Sequence, residues 1–380
     1  MKICAIICEY NPFHNGHLYQ IQQVKAFSGA DAILCLMSGN FVQRGEAAVM
    51  DKYTRAKHAI LAGADVVAEL PTVFATSNAE LFAKGAISIL SKLPCVSTLC
   101  FGVENADATT LYSAAKLLNN EPKEISDKIK EQVSSGIAYA KARANAWENL
   151  LSKELLTSPN NILGLEYTRA ILESNAKIEI LPIQRQGAGY SDDKIYQNFS
   201  SASAIRKGIA IGESIEGNLP KYTANDLPDK LETTLDSLEK YAILNKSSTE
   251  IAAVCDCTEG LENAFKKAAL LPELLPSTLT SARYTSARIR RIALQNLLEI
   301  PEKLIRECLK TVLYLRVLGA RKARTDVLSA LADGATPLLI RAHDENSLFA
   351  TAKACYERDI FAEKVYSILY PLKSNKIFFE

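Results

Sequence analysis

The stretch that decides the fold is Ile3-Cys4-Ala5-Ile6-Ile7-Cys8-Glu9-Tyr10-Asn11-Pro12-Phe13-His14-Asn15-Gly16-His17-Leu18-Tyr19-Gln20. Ile3 to Cys8 is short, apolar and closed by Asn11-Pro12, the pattern of a buried strand. A helical pattern follows from Gly16 to Phe27. His-x-Gly-His at a strand-to-helix junction suits an anion: the helix N-terminus offers free amides and the positive end of its dipole. The two imidazoles at i and i+3 share one side of the first turn, and Gly16 lets a ligand approach the backbone closely.

Outward from this stretch the alternation continues. Ala32 to Met37, Val66 to Leu70, Thr98 to Val103 and Ile178 to Ile183 read as further strands. Helical patterns cover Lys52 to Ala62, Asn78 to Leu90, Glu121 to Leu156 and Asn161 to Asn175. Short apolar strands separated by helices predict an α/β, Rossmann-like parallel sheet. The Gly/Pro/Asn/Asp-rich segment Gly212 to Asp229 predicts a boundary, with residues 1–215 as the catalytic domain and 216–380 as an all-helical second domain. In the latter, Glu302 to Leu318 is read as one helix.

Bulk properties exclude several classes. With 380 residues and 48% apolar content the chain buries an ordinary core. The formal charge of +1 gives no global argument for nucleic acid. Nine scattered cysteines and four histidines suggest neither a disulfide framework nor a zinc site. The apolar N-terminal run is too short for a signal peptide and no run is long enough to span a bilayer, so a soluble, cytoplasmic protein is expected.

A second anion signal is Phe199-Ser200-Ser201-Ala202-Ser203-Ala204-Ile205-Arg206. Hydroxyl residues open a helix and a guanidinium follows one turn in, so Ser200 and Ser201 would act as cap groups and Arg206 would grip phosphate. His14, His17, Ser201 and Arg206 are the candidate catalytic set for displacement at a phosphate, where charge on the leaving group must be neutralised, and Ser200 is a candidate nucleotide contact. Gly102, at the end of its strand, permits close approach of a nucleotide.

Together the two motifs resemble the His-x-Gly-His and Ser-Ser-x-x-x-Arg elements of nucleotidyltransferases. A longer set is more specific: Glu9 to His17; Ser38-Gly39-Asn40-Phe41-Val42-Gln43-Arg44-Gly45-Glu46; Gly63-Ala64-Asp65 through Glu69-Leu70-Pro71; Ser158 to Gly164; and Tyr284-Thr285-Ser286-Ala287-Arg288-Ile289-Arg290-Arg291. Over nearly the whole chain this resembles the tRNA(Met) cytidine acetate ligase family. The resemblance implies activation of acetate by ATP as acetyl-adenylate, then transfer to the N4 amine of the wobble cytidine of elongator tRNA(Met). It also implies an ATP site built from Ile7 to Gln20 with Gly102, Asn161 and Arg185. The family's usual Tyr-His-Asp is here Tyr190-Ser191-Asp192, so no histidine role carries over to that position. Mg²⁺ is expected with the nucleotide, held by phosphate and water, with no protein metal site.

Charge is also concentrated locally. Between Arg283 and Arg324 stand eight arginines and three lysines against three acids. Such an excess is the footprint expected for RNA backbone. Arg283, Arg288, Arg290 and Arg291 are the candidate RNA contacts, while Asn40 and Arg44 are candidates for acetate or RNA phosphate. Lys52 and Arg55 read as a solvated helix face, and His58 and His343 as structural. Two other classes share part of the pattern: a small-molecule adenylyltransferase of the pantetheine-phosphate or nicotinamide-mononucleotide type, and a non-enzymatic RNA-binding protein responsive to ATP. Neither uses both the phosphate constellation and the basic helical region.

Overall fold

Among the described residues the strands are β1 (Ile3–Cys8), β2 (Ala32–Ser38), β3 (Phe41–Val42), β4 (Glu46–Ala47), β5 (Val66–Leu70), β6 (Val96–Val103), β7 (Glu179–Gln184), β8 (Leu315–Ala320), β9 (Leu338–Leu339) and β10 (Phe378–Phe379). The computed structural model describes residues 1–185, 195–196, 198–228, 231, 234–341, 343–370 and 376–380. The main sheet runs β10-β8-β5-β2-β1-β6-β7, with β9 on β8, while β3 and β4 form a separate hairpin. β5, β2, β1, β6 and β7 are mutually parallel. Their order reverses between β1 and β6, which opens a crevice at the carboxyl ends of those two strands.

These strands are continuous apolar runs because both faces are covered. Cys4, Ile6, Cys35 and Val67 pack under helices α1 (Asn15–Phe27) and α2 (Lys52–Leu61). Ala5, Ile7, Leu34 and Leu99 pack on the other face with residues of the Ala79–Leu90 and Pro159–Glu173 helices.

The α/β class and the helical C-terminal region are both present, but the chain after residue 308 differs from the sequence reading. The helix expected over Glu302–Leu318 ends at Cys308, and Leu315–Ala320 is strand β8, antiparallel to β5. Arg316 makes this run look like the polar step of an amphipathic helix. In the fold it sits opposite Glu69 in the ladder, and its guanidinium contacts Glu69 at 3.1 Å and Glu363 at 3.3 Å. The region after Gly212–Asp229 is therefore helical up to Cys308, around a small core of Ile243, Phe265, Ile289 and Ile292, and then rejoins the sheet.

Lys52 and Arg55 also depart from the solvated face expected of them, being 1% and 0% exposed. β8 and the Ala350–Leu369 helix close over this side of the sheet, as their bonds to the buried cations show. Lys52 Nζ lies 2.8 Å from Glu69 and 2.9 Å from Glu363. Arg55 donates to the carbonyls of Met50, Glu9, Ser38 and Gly39. The Glu9, Ser38 and Gly39 carbonyls lie at and just beyond the ends of β1 and β2, so Arg55 holds the rim of the crevice in place.

Candidate active site

His14 ends the loop after β1 as the N-cap of α1, and its Nδ1 accepts the Gly16 amide at 3.0 Å. His17 Nδ1 accepts the His14 amide at 3.2 Å. This is a capping box built from two imidazoles in place of the usual hydroxyl and carboxylate. The rings stack with centroids 3.7 Å apart, and Tyr10 and Phe13 wall in His17 at 4.8 and 5.6 Å. With both Nδ1 atoms accepting, the proton of each neutral ring is assigned to Nε2, which makes each a donor. Burial, with the nearby Arg185 and Arg206 guanidiniums, pulls His14 down to about 3. Burial and then His14 and Arg185 hold His17 well below the usual imidazole range. The standing positive charge expected of the imidazoles is therefore absent; it comes from the arginines and the helix end.

The second motif reaches the same place. Ser201 is the N-cap of the Ala202–Ile211 helix and accepts the Ala204 amide at 3.0 Å. Ser200 Oγ is engaged by Tyr196, accepting its amide at 2.7 Å. Arg206 Nη1 donates to the Asn11 carbonyl at 2.8 Å, beside the histidine corner. The two motifs are tied together by Asn218, which sequence reasoning missed: its carbonyl accepts the Asn15 amide at 3.0 Å and its Oδ1 accepts the Ser200 amide at 2.8 Å. Asn15 Nδ2 adds a bond to the Gly217 carbonyl at 2.7 Å.

His14, His17, Ser200, Ser201 and Arg206 line one pocket at the β1/β6 crevice, with Ile7 to Asn11, Tyr19, Gln20, Gln43, Arg44, Gly102 and Arg185 around it. At Gly102 a Cβ would press on Arg185 Cγ at 3.3 Å, so the missing side chain makes room for the arginine to lie across the strand end. Glu9 is buried here and accepts the Gln43 amide at 2.7 Å. Burial raises its carboxyl above the usual range, against that amide bond and Arg206, Arg55 and Arg44. An apolar wall not foreseen from sequence is made by Phe82, Phe101, Leu163 and Tyr167. Its one legible signal is Gly164, where a Cβ would collide with the Phe101 ring at 2.6 Å.

Other candidates stand elsewhere. Pro12, Phe13, Asn15 and Leu18 support the motif without lining the pocket. Asn161 is fully buried and braces the loop after β6, accepting the Glu104 amide at 2.9 Å and donating to Asn105 at 2.9 Å; its neighbour Asn160 faces the pocket. Asn40 is buried against the start of α2, accepting the Lys52 amide at 2.8 Å. His58 is buried against Asp226 at 3.0 Å, and His343 is exposed. Tyr190-Ser191-Asp192 lies outside the described residues. Among the described residues no group of three or more His, Cys, Asp or Glu is gathered as a metal cluster.

The basic stretch is largely consumed internally. Arg283 pairs with Glu259 at 2.6 Å, Arg288 donates to the Asp256 carbonyl at 2.7 Å, and Arg291 lies 3.9 Å from Asp256. Arg290 pairs with Glu46, Arg306 with Glu302, and Arg324 with Asp65 and Asp326.

Similarity to known proteins agrees with this geometry. The family model described as HIGH Nucleotidyl Transferase matches residues 1–378. A tRNA(Met) cytidine acetate ligase of Clostridium novyi (strain NT) is 39% identical over 352 residues, 87% of each chain. One of Thermoanaerobacter sp. (strain X514) is 36% identical over 97% of this chain and 96% of its own. The apo crystal structure of Thermotoga maritima TmcAL superposes with TM-score 0.91 at 28% identity, covering 100% of this chain and 99% of that one. The same protein bound with alpha-thio ATP gives TM-score 0.87 at 29% identity over 98% and 96%. A HIGH-type corner facing a crevice between β1 and β6, in a chain this similar end to end, places the protein in the tRNA(Met) cytidine acetate ligase family.

Proposed function

We propose that this chain is an ATP-dependent acetate ligase that makes N4-acetylcytidine at the wobble position of elongator tRNA(Met). The observation that carries the reading is the convergence of His14, His17, Arg185 and Arg206 on one pocket at the amino end of α1. In the first step an acetate oxygen attacks the α-phosphorus of ATP. The bond to the bridging oxygen breaks, pyrophosphate leaves, and acetyl-adenylate remains. In the second, the cytidine N4 attacks the acyl carbon, loses a proton, and AMP departs.

The residues suit this division. Two neutral Nε2–H donors and the α1 amides meet phosphate oxygens, and Arg206 and Arg185 offset the charge growing on the leaving group. The apolar wall offers a dry face for the adenine ring. A magnesium ion brought in with ATP would be held by phosphate and water and would add to the charge that Arg185 and Arg206 supply. Residues 216–380 are proposed to receive the RNA, Arg283, Arg288, Arg290 and Arg291 marking the helical side of that surface. No helix among the described residues is long and apolar enough to cross a membrane, which suits action on tRNA in the cytoplasm.

Mass spectrometry of tRNA nucleosides after incubation with ATP and labelled acetate tests the reading directly. Labelled N4-acetylcytidine is the expected product. Pyrophosphate release driven by another small acid, with no acetylated nucleoside, would favour an adenylyltransferase instead.

A further inference from the structure

The β3–β4 hairpin stands between the nucleotide pocket and the helical region, and its charged groups reach both ways. Toward the pocket, Glu46 Oε2 is 3.5 Å from Arg206 Nη2. Toward the helical region, Glu46 Oε1 meets the guanidinium of Arg290 on the Ser286–Leu297 helix. A parallel path runs from Arg291 Nη1 to the Gln43 carbonyl at 3.5 Å, and from the Gln43 amide to Glu9 at 2.7 Å. The turn rests directly on the helix. Gly45 has φ +75°, and a Cβ there would fall 2.6 Å from the backbone of Arg290 and Arg291.

We propose that Glu46 is a positioning residue which divides its carboxylate between Arg206 and Arg290, so that the helical region sets how much of Arg206 is available to the phosphates of ATP. The proposal rests on the ATP-binding reading above. A carboxylate beside Arg206 competes with phosphate for the guanidinium, and Arg290 competes with Arg206 for that carboxylate. Arg206 keeps a second anchor, the Asn11 carbonyl, so it stays at the pocket when Glu46 lets go. Neutralising Glu46 therefore removes its pull on Arg206, whereas removing Arg290 hands Glu46 to it. An RNA phosphate that captures Arg290 acts as its removal does, and linkage makes the effect reciprocal.

A double-mutant cycle on full-length protein, read by equilibrium binding of a fluorescent ATP analogue without acetate or RNA, tests this. Glu46→Gln is expected to tighten binding by roughly threefold and Arg290→Met to weaken it by roughly fivefold, the low end of coupling between sites. Arg290→Met in the Glu46→Gln background should then change affinity by less than about twofold, and Arg290→Lys should restore wild-type binding. Melting curves check that each variant folds. Two variants that both weaken binding, or an Arg290→Met effect undiminished without the Glu46 charge, would overturn the coupling. Wild-type protein that binds the analogue but acetylates no tRNA refutes the ligase reading alone, and the cycle still reports on Glu46.

Discussion

The histidine corner and the arginine-rich stretch both look like anion sites in sequence, yet the fold treats them differently. At the corner, four residues of chain fix two imidazoles through the Gly16 and His14 backbone amides and leave their outer nitrogens for a ligand. Along Arg283–Arg324, most guanidiniums are taken by carboxylates or carbonyls of the same chain. A count of charges says how much positive potential a segment carries. It does not say how much is available, since a cation paired within the fold has little left to give a partner. Spacing at a strand-to-helix junction does convey availability, because the backbone geometry there is nearly fixed.

Mutations that sharpen this contrast fall in a graded series. Arg316→Met removes one of the two cations that Glu69 and Glu363 share, leaving Lys52 alone between two carboxylates, and should cost about 3–5 kcal/mol of stability, read by denaturant unfolding. His17→Ala should lower acetate-dependent adenylate formation by roughly 10²–10³-fold. The lost cap should cost only about 1 kcal/mol of stability, separating activity from folding. Gly45→Ala forces a side chain into positive φ against the Arg290 backbone and should destabilise by roughly 1–3 kcal/mol, while leaving the His14–His17 stack intact. Arg306→Ala, at an exposed i,i+4 pair with Glu302, should shift stability by less than about 0.5 kcal/mol.

The corner also makes a pH prediction. Because burial and the arginines lower both imidazole values, the rings should stay neutral, with Nε2 protonated, from pH 7 down through pH 5. Histidine ¹⁵N NMR shifts read this directly, and a charged His14 at pH 6 would contradict it. With a folded value near 3 for His14, below an unfolded value near 6.5, protonating the unfolded chain costs stability progressively as pH falls from about 6.5 toward 3.

The parallel strands were legible almost to the residue, since a short apolar run between helices has few other uses. β8 was not, because Arg316 is a strand residue only by virtue of Glu69 and Glu363, which lie far away in the chain. Lys52 and Arg55 misled for the same reason: a polar helix face cannot reveal that β8 and the last long helix will cover it. In the site, the histidine motif, Gly102 and Arg206 were readable from residue type and spacing, whereas Arg185 entered only through the family resemblance. Asn161 was read one residue from Asn160, which faces the pocket. Asn218 and Glu46 had no local signal, as their value lies in joining segments about 18 to 244 residues apart.

The most direct test of the central claim is a crystal structure of this chain with a non-hydrolysable ATP analogue. The account predicts the triphosphate across the amino end of α1, within hydrogen-bond distance of Nε2 of His14 and of His17, with Arg206 turned from Glu46 onto a phosphate oxygen. Phosphates bound elsewhere, or contacting only one of the two motifs, would contradict it.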